Sequence, residues 1–162
     1  MAVAYLGIGS NVEPGKYLTL AIDELRSRFQ QLTVSPVYQS KALGFVGEDF
    51  LNVVARIQTD LSPRQLIDEL DSIQRLAGRE RSAKKFVSRT LDIDLLLYDD
   101  LVVTEPGMQL PRPDTLEFSF VLKPLADIAP DLEHPLTGKR ILDHWREFDA
   151  QNHPLKKVEL SL

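Results

Sequence analysis

The segment that most constrains the fold is residues 91–98, in which apolar residues alternate with a second set that begins with two aspartates. This period of two predicts a β-strand, with Leu91, Ile93, Leu95 and Leu97 on one face and Asp92, Asp94, Leu96 and Tyr98 on the other. The two aspartates then point to the same side, roughly 6.6 Å apart along the backbone. Two carboxylates this close repel each other unless a cation lies between them. The strand must therefore leave this face open to a cation, or to water if it is only a half-buried edge.

Five basic residues lie just before this strand: Arg79, Arg81, Lys84, Lys85 and Arg89. They are concentrated locally in a chain whose net charge is −5. Carboxylate oxygens are suitable ligands for Mg²⁺, and basic side chains bind phosphates, so the combination is typical of a site for a metal-bound polyphosphate. The alternative is a solvated basic loop that neutralises the aspartates directly.

The length and charge of the chain limit its organisation and its partners. At 162 residues it is long enough for one domain with a substantial core, so we expect a single domain over 1–162, in which 150–162 is an edge strand or a flexible tail. The acidic net charge argues against a general binder of nucleic acids or anionic membranes. We expect small-molecule ligands and a monomer.

Cysteine is absent, which excludes a disulfide framework and a thiolate metal site. The histidines His134, His144 and His153 do not have the spacing of a metal site. The amino-terminal residues contain neither a basic segment nor a long apolar run, so we expect no signal peptide and no membrane span. A cytoplasmic location is therefore expected.

Hydrophobic periodicity gives the remaining elements. It predicts strands at 2–9, 31–40 and 50–59, and helices at 16–29 and 62–77. Ser62, Pro63 and Gln65 have the spacing of a capping box at the start of the second helix, and Gly78 is its expected end. Strand, helix, strand, strand, helix, strand is the order of a ferredoxin-like α+β sandwich, an antiparallel sheet with helices packed on its faces.

The last third of the chain is expected to add further elements. Residues 101–103 are predicted to pair back on the aspartate strand, and 105–107 to form a turn. A third helix is predicted from 114 or 115 to about 126, with Pro124 bending or ending it. A short final helix is predicted over 141–148. Because this fold serves many activities, it does not by itself identify one.

Two other strands carry residues with chemical meaning. Gly7 and Gly9 in the first strand would allow a close approach of neighbouring backbone, but the third glycine of a dinucleotide-binding loop is missing. In the 50–59 strand, Phe50 and Asn52 share the more polar face, and Leu51, Val53, Ala55 and Ile57 are predicted to form the buried one. A ring beside an amide suits a flat heterocycle that forms hydrogen bonds, although ordinary packing explains such a pair as well.

Taken together, these motifs give the sequence a specific pattern that resembles the 6-hydroxymethyl-7,8-dihydropterin pyrophosphokinase family. The resemblance covers nearly the whole domain. Its motifs are, in chain order, residues 4–11 (AYLGIGSN), 50–52 (FLN), 89–94 (RTLDID), 120–125 (FVLKPL) and 128–130 (IAP). Each motif is modest alone, and their shared order makes the match specific.

The resemblance implies transfer of the β,γ-pyrophosphate of ATP to the hydroxymethyl oxygen of the pterin, with release of AMP, in folate biosynthesis. ATP is then a co-substrate, and two Mg²⁺ ions are expected, held by Asp92 and Asp94. The same resemblance assigns catalytic roles to these two aspartates and to Arg79 and Arg89.

The resemblance also implies two groups of binding residues. Those for the nucleotide are Gln74, Arg79, Arg81, Arg89, Leu95 and Arg112. For the pterin, the rings of Phe50 and Phe120 sandwich the heterocycle and Asn52 reads its edge. Backbone groups of Ser40, Lys41, Ala42 and Leu43 are expected to complete the hydrogen bonds.

The sequence departs from the family pattern at several positions. An aromatic-Gly-Pro run is here 86–88 (FVS), an acidic residue on the second helix is Gln74, a histidine in the late loop is Arg112, and a basic residue is Phe118. These positions mostly serve the nucleotide, so ATP affinity and turnover are expected to differ more than pterin recognition. Arg112 is a hypothetical replacement phosphate contact.

Two other functions remain as alternatives at this point. A diverged relative would bind a pterin or a nucleotide with slow turnover, or would act on another hydroxymethyl heterocycle. A ferredoxin-like RNA-binding module is the less favoured alternative. The charge is acidic, the basic residues lie on a loop, and no predicted strand has the paired aromatic residues on which RNA bases stack.

Overall fold

The computed structural model describes residues 1–42, 47–78 and 91–162. The strands are β1 (Ala2–Ser10), β2 (Gln30–Val34), β3 (Val37–Ser40), β4 (Phe50–Thr59), β5 (Asp92–Tyr98), β6 (Val103–Glu105), β7 (Met108–Leu110) and β8 (Lys156–Val158). The helices are α1 (Pro14–Arg28), α2 (Pro63–Leu76), α3 (Asp114–Glu117), α4 (Ser119–Ile128) and α5 (Ile141–Glu147), followed by a 3₁₀ turn (Ala150–Asn152).

Six of the strands form one antiparallel sheet in the order β5-β1-β4-β3-β8, and β2 also pairs with β4. Helices α1 and α2 bury their apolar sides against one face of this sheet, and α4 and α5 bury theirs against the other. The predicted ferredoxin-like α+β sandwich is confirmed. No helix in the described part of the chain is long and apolar enough to cross a membrane.

The capping box at the start of α2 is confirmed. The backbone N–H of Gln65 donates to the hydroxyl of Ser62 over 3.2 Å, and the backbone N–H of Ser62 donates to the side-chain oxygen of Gln65 over 3.0 Å. Pro63 occupies the first helical turn, where it leaves no N–H unpaired. Gly78 follows the helix with a φ of 76°, the left-handed conformation in which glycine is favoured.

The prediction of one strand over 31–40 is wrong, because β2 and β3 are separate strands. Between them, the Ser35 hydroxyl accepts a hydrogen bond from the N–H of Val54 over 2.9 Å. Pro36 has no N–H to donate to the ladder, so regular pairing with β4 is interrupted there. The chain thus contacts β4 in two short segments.

The predicted faces of β5 are correct as far as Leu96 and wrong beyond it. Leu6 of β1 lies opposite Leu95, whereas Tyr5 lies opposite Leu97, so one residue is inserted between the two pairs. This bulge turns Leu97 toward the face covered by α4, and Tyr98 packs against the opposite core.

The strand β4 is buried on both faces, which corrects the prediction that only one is. Val53, Ala55 and Ile57 belong to the core under α1 and α2, as predicted. Val54 on the other face is fully buried, and Asn52 is 4% exposed, because α4 covers that side of the sheet. Both faces of β4 therefore contribute buried residues.

Two predictions for the chain after β5 are also wrong. Residues 101–103 are not a strand paired with β5. Instead, β6 pairs with β7 around a turn in which Gly107 has a φ of 77°. The third helix is divided at Phe118, whose extended backbone ends α3 and begins α4. Pro124 lies within α4 without ending it, since burial of the flanking residues against the sheet holds the helix together.

The carboxy-terminal predictions agree better with the structure. The predicted helix at 141–148 is observed as α5. Of the two alternatives for the tail, the edge strand is the one found: β8 pairs with β3, with Val158 opposite Val37. The sheet thus has β5 at one edge and β8 at the other.

Candidate active site

The two aspartates of β5 lie on the same side of the sheet as predicted, and both are half-buried. In the register with β1, Asp92 is opposite Gly9 and Asp94 is opposite Gly7. Directly paired residues of antiparallel strands project to the same side. The carboxylates therefore border two glycines of β1, and the Leu96 side chain packs over Gly7, 3.3 Å from where a Cβ would lie.

Gly9 connects the aspartates to the second group of predicted residues. It pairs with Asp92 on one side and with Asn52 of β4 on the other, so the three form a row across the sheet. At the usual strand spacing, the row spans roughly 10 Å from Asn52 to Asp92. A Cβ atom at Gly9 would lie 3.2 Å from Asn52 Oδ1 and 3.8 Å from the Phe50 ring. Glycine keeps the middle of this row open.

Asn52 is held firmly by its neighbours. Its Nδ2 donates to the Tyr38 carbonyl over 3.1 Å and to the Ser40 hydroxyl over 2.9 Å. Both amide N–H groups are therefore used within the protein, which fixes the orientation of the side chain. The remaining polar atom, Oδ1, lies on the side of Gly9.

The aromatic residues predicted to bind the pterin lie on the two elements that flank this region. Phe50 begins β4 opposite Ser40 and is half-buried. Phe120 lies in the first turn of α4, which covers the Asn52 side of the sheet. The ring of Phe118 stacks on that of Phe120, with centroids 5.0 Å apart and planes 17° apart.

The backbone segment predicted to complete pterin binding is described in part. After Ser40, Lys41 is exposed and Ala42 is half-buried. Leu43 lies outside the described residues, as do Arg79, Arg81 and Arg89. The roles expected for these residues stay predictions.

A cation from the chain itself lies beside the aspartates. Arg112 follows the β6–β7 hairpin, and its N–H donates to the carbonyl of Leu96 over 2.8 Å. Its Nη2 is 3.7 Å from Asp94 Oδ1, and its Nε is 3.3 Å from Asp114 Oδ2. Burial lowers the pKa of Arg112, but the carboxylates of Asp94 and Asp114 outweigh this, so the net pKa is raised. The guanidinium stays charged.

Gln74 links α2 to the outer edge of β5. It is 6% exposed, and its Oε1 accepts a hydrogen bond from the N–H of Ile93 over 3.1 Å. Its Nε2 donates to the carbonyl of Leu70 over 3.2 Å and to Asp71 Oδ1 over 3.3 Å. Because Ile93 lies between the two aspartates, Gln74 fixes the backbone that carries them.

A cavity of about 530 Å³ opens between α2, β5 and the β6–β7 hairpin. This volume lies within the range of small-molecule sites in proteins. Among its lining residues are the described ones predicted for the nucleotide and the metal, namely Gln74, Asp92, Asp94, Leu95 and Arg112. The structure thus brings together residues that are separated by almost forty positions in the sequence.

The donor set at this cavity is chemically suited to Mg²⁺. The described residues contain no cluster of three or more His, Cys, Asp or Glu side chains arranged around a common point. Asp92 and Asp94 contribute two half-buried carboxylates on one face. Mg²⁺ is commonly held in this way, by one or two carboxylates together with substrate phosphates and water. The pair fits a metal that arrives with its substrate.

The position of Gly9 between Asn52 and Asp92 was not predicted from the sequence. The signal was present in the sequence as two glycines two positions apart in a strongly apolar first strand. Their meaning depends on which residues lie opposite them in the neighbouring strands, and strand register is not visible in one sequence.

Comparison with known proteins agrees with the sequence resemblance. The profile of the 7,8-dihydro-6-hydroxymethylpterin-pyrophosphokinase (HPPK) family matches residues 5–130. A 2-amino-4-hydroxy-6-hydroxymethyldihydropteridine pyrophosphokinase from Aquifex aeolicus is 35% identical over 94% of this chain and 93% of its own length. Another with the same name, from Haemophilus influenzae, is 38% identical over 83% of this chain and 86% of its own length.

Solved structures show a similar fold. Plasmodium falciparum HPPK-DHPS, crystallised with pterin and p-hydroxybenzoate, superposes with a TM-score of 0.74 at 12% identity. The match covers 93% of this chain and 43% of that longer one. At this identity the likeness concerns the fold alone.

These matches define the class of the protein, a transferase of the kinase type. The chain belongs to the 7,8-dihydro-6-hydroxymethylpterin-pyrophosphokinase family.

Proposed function

We propose that this protein transfers the pyrophosphoryl group of ATP to the hydroxymethyl oxygen of 6-hydroxymethyl-7,8-dihydropterin, in folate biosynthesis. The oxygen forms a bond to the β-phosphorus of ATP, and the bond from that phosphorus to the oxygen shared with the α-phosphorus breaks. AMP leaves, the pterin diphosphate forms, and the hydroxyl proton is released. The family membership of the chain and the names of its relatives support this reaction.

The observation that carries the proposal is the row formed by Asn52, Gly9 and Asp92. On one side of Gly9 lie a neutral amide and the Phe50 ring, and on the other lie two carboxylates and a cavity. A span of roughly 10 Å suits a flat acceptor whose hydroxymethyl arm extends toward a triphosphate. Gly9 would leave the passage for that arm open.

On the neutral side, we propose that the rings of Phe50 and Phe120 stack on the pterin. Because both N–H groups of Asn52 are used inside the protein, its Oδ1 is the atom that would accept a hydrogen bond from a pterin N–H. A buried, oriented acceptor discriminates strongly against a ligand without the matching donor, since the acceptor is then left unpaired. Backbone groups of 40–43 are proposed to complete the contacts.

On the charged side, we propose that Asp92 and Asp94 hold two Mg²⁺ ions. When bound, such ions neutralise the developing charge of a triphosphate and orient it. Gln74 would keep the two aspartates in place through its contact with Ile93. Arg79, Arg81 and Arg89 are proposed phosphate contacts on the basis of the resemblance.

Arg112 is a further proposed phosphate contact. Its guanidinium lies between Asp94 and Asp114. Its charge is assured by these carboxylates, and its position borders the cavity in which the triphosphate would lie. Planar guanidinium groups bind phosphate oxygens well.

A coupled assay for AMP tests the proposal directly. Purified protein is incubated with Mg·ATP and 6-hydroxymethyl-7,8-dihydropterin, with a reaction lacking the pterin as the control. Pterin-dependent AMP is the expected result. If no AMP forms while calorimetry still shows pterin binding, the protein is a diverged relative and the proposed reaction is wrong.

A further inference from the structure

A buried tyrosine links the pterin side of the sheet to α4. Tyr38 of β3 is 6% exposed, and its hydroxyl donates a short hydrogen bond to Asp127 Oδ2 at the end of α4. In the sheet, Tyr38 lies directly opposite Asn52, and its carbonyl accepts one of the two Asn52 amide hydrogen bonds. One residue therefore contacts both the strand that carries Asn52 and the helix that carries Phe120.

Asp127 is held on its other side as well. Lys123, one turn earlier in α4, donates to Asp127 Oδ1 over 2.7 Å. The same ammonium lies 5.7 Å from the centre of the Trp145 ring on α5. With its side chain only 20% exposed, Asp127 is thus oriented toward Tyr38 by a neighbouring cation.

The spacing of residues along α4 relates the Tyr38–Asp127 contact to Phe120. Phe120, Lys123 and Asp127 are separated by three and four residues, so they lie along one side of the helix. Two turns, roughly 10 Å, separate Phe120 from Asp127. The Tyr38–Asp127 contact and Phe120 therefore lie at opposite ends of one helix, whose buried residues between them pack against the sheet.

Burial and the neighbouring carboxylate of Asp127 raise the pKa of Tyr38 well above its usual value. The hydroxyl therefore stays a donor at any pH at which the protein would work. A hydrogen bond to a carboxylate is stronger than one between neutral groups, so this contact can resist the movement of a helix.

We propose that the Tyr38–Asp127 hydrogen bond is a positioning contact that fixes the gap between α4 and the sheet at the thickness of a pterin ring. The proposal rests on the proposed function of this site. The contact sets the separation of Phe120 from Phe50 and leaves the aspartate side of the sheet unaffected. Neither residue touches the reacting atoms.

The test uses Tyr38→Phe, which removes one oxygen and keeps the ring in the core. We expect the KM and the Kd of the pterin to rise about tenfold, the size of effect for one lost hydrogen bond to a charged group. The KM of ATP and kcat should stay within about twofold of their original values, because the contacts on the aspartate side remain.

The matched control is Tyr98→Phe. The Tyr98 hydroxyl also donates a partly buried hydrogen bond, to the carbonyl of Leu61 over 2.6 Å. Tyr98 packs on the face of the sheet opposite to α4. A general loss of stability would affect both variants alike, and thermal unfolding measures it. Only Tyr38→Phe should change pterin binding.

Two substitutions of Asp127 test the partner. Asp127→Ala should reproduce the effect of Tyr38→Phe, whereas Asp127→Asn keeps an acceptor oxygen and should recover part of the pterin affinity. The proposal is overturned if Tyr38→Phe leaves the pterin Kd unchanged, or if it raises the Kd of ATP by the same factor. If the unaltered protein binds no pterin by calorimetry, both the proposed function and this inference are wrong.

Discussion

The two sides of β1 are built on different physical principles. On the β3–β4 side, polar groups are paired with one another: Asn52 with Tyr38 and Ser40, and Tyr38 with Asp127. On the β5 side, by contrast, Arg112 lies 3.7 Å from Asp94 and is 35% exposed. The first side presents an uncharged amide that is held by hydrogen bonds, and the second presents two carboxylates and a guanidinium that are partly exposed to solvent.

The difference reflects what each side is proposed to bind. An uncharged ring is recognised by shape and by a few oriented hydrogen bonds, which are effective only if they are fixed in advance. A triphosphate brings its own charge and counterions, so its site needs opposing charges more than a fixed shape. Gly9 lies between these two sides, paired with Asn52 on one and with Asp92 on the other.

The charged side should give the largest effects. Asp92→Ala and Asp94→Ala are each expected to fold normally and to lose on the order of 10³-fold or more in kcat/KM, because they remove charge stabilisation that operates mainly in the transition state. Circular dichroism and the AMP assay measure the two outcomes. Asp100→Ala, an exposed aspartate just beyond β5, is the control and should be fully active. Retained activity in both variants would overturn the metal assignment.

The boundary between the two sides should be the next most sensitive position. Gly9→Ala places a methyl group 3.2 Å from Asn52 Oδ1, in the path proposed for the hydroxymethyl arm. A misplacement of this size is expected to lower kcat/KM by roughly 10²-fold. Gly15→Ala is the matched control, because a Cβ there meets no atom within 4 Å. Equal activity of the two variants would show that Gly9 does not form the passage.

Substitution of Arg112 is expected to affect the binding of one ligand and not of the other. Arg112→Ala should raise the KM of ATP by about tenfold through loss of a charged phosphate contact, and it should leave the Kd of the pterin unchanged. Arg26→Ala, an exposed arginine on α1, controls for loss of charge alone. Unchanged ATP affinity and rate in Arg112→Ala would contradict its proposed role.

The sequence predicted the elements of both sides better than their relation to each other. Alternation in 91–95 correctly placed Asp92 and Asp94 on one face, because local period is a property of the strand itself. It could not predict the bulge before Leu97, since that depends on how β5 pairs with Tyr5 of β1. The alignment of Asn52, Gly9 and Asp92 was hidden for the same reason.

The break at Phe118 and the burial of Asn52 were also beyond the sequence. A helix was expected through residue 118 because apolar spacing continues across it. Packing of α4 over β4 determines where the helix restarts, and it buries a face that looked polar. Local propensity is overridden here by tertiary contacts.

The smallest predicted effect lies outside both sides, at His134. Its Nδ1 accepts the N–H groups of Leu136 and Thr137 over 3.2 and 3.4 Å, which requires the neutral ring. Burial, and then the neighbouring His144, lower the pKa of His134 below its usual 6.5. As the pH falls, His134 takes up a proton in the unfolded chain before it does so in the folded protein. Its contribution to stability is therefore fully present above pH 6.5, the usual pKa of the unfolded chain, and is lost as the pH falls through the lower pKa of the folded protein.

Thermal unfolding at several pH values measures this effect. Between about pH 7.5 and pH 5.5, the Tm should fall as a result of His134. His134→Asn keeps an acceptor oxygen but takes up no proton, so it should remove that part of the pH dependence. An identical pH profile in this variant would contradict the assignment, and ligand binding is expected to be unaffected.

In the proposed reaction, the two sides act together to move a pyrophosphoryl group as a unit. Phosphorus NMR of the complete reaction mixture tests this most directly, because it identifies every phosphate-containing product. We expect AMP and pterin diphosphate in equal amounts. Formation of ADP and a pterin monophosphate would contradict it, since the β- and γ-phosphates would then have been separated.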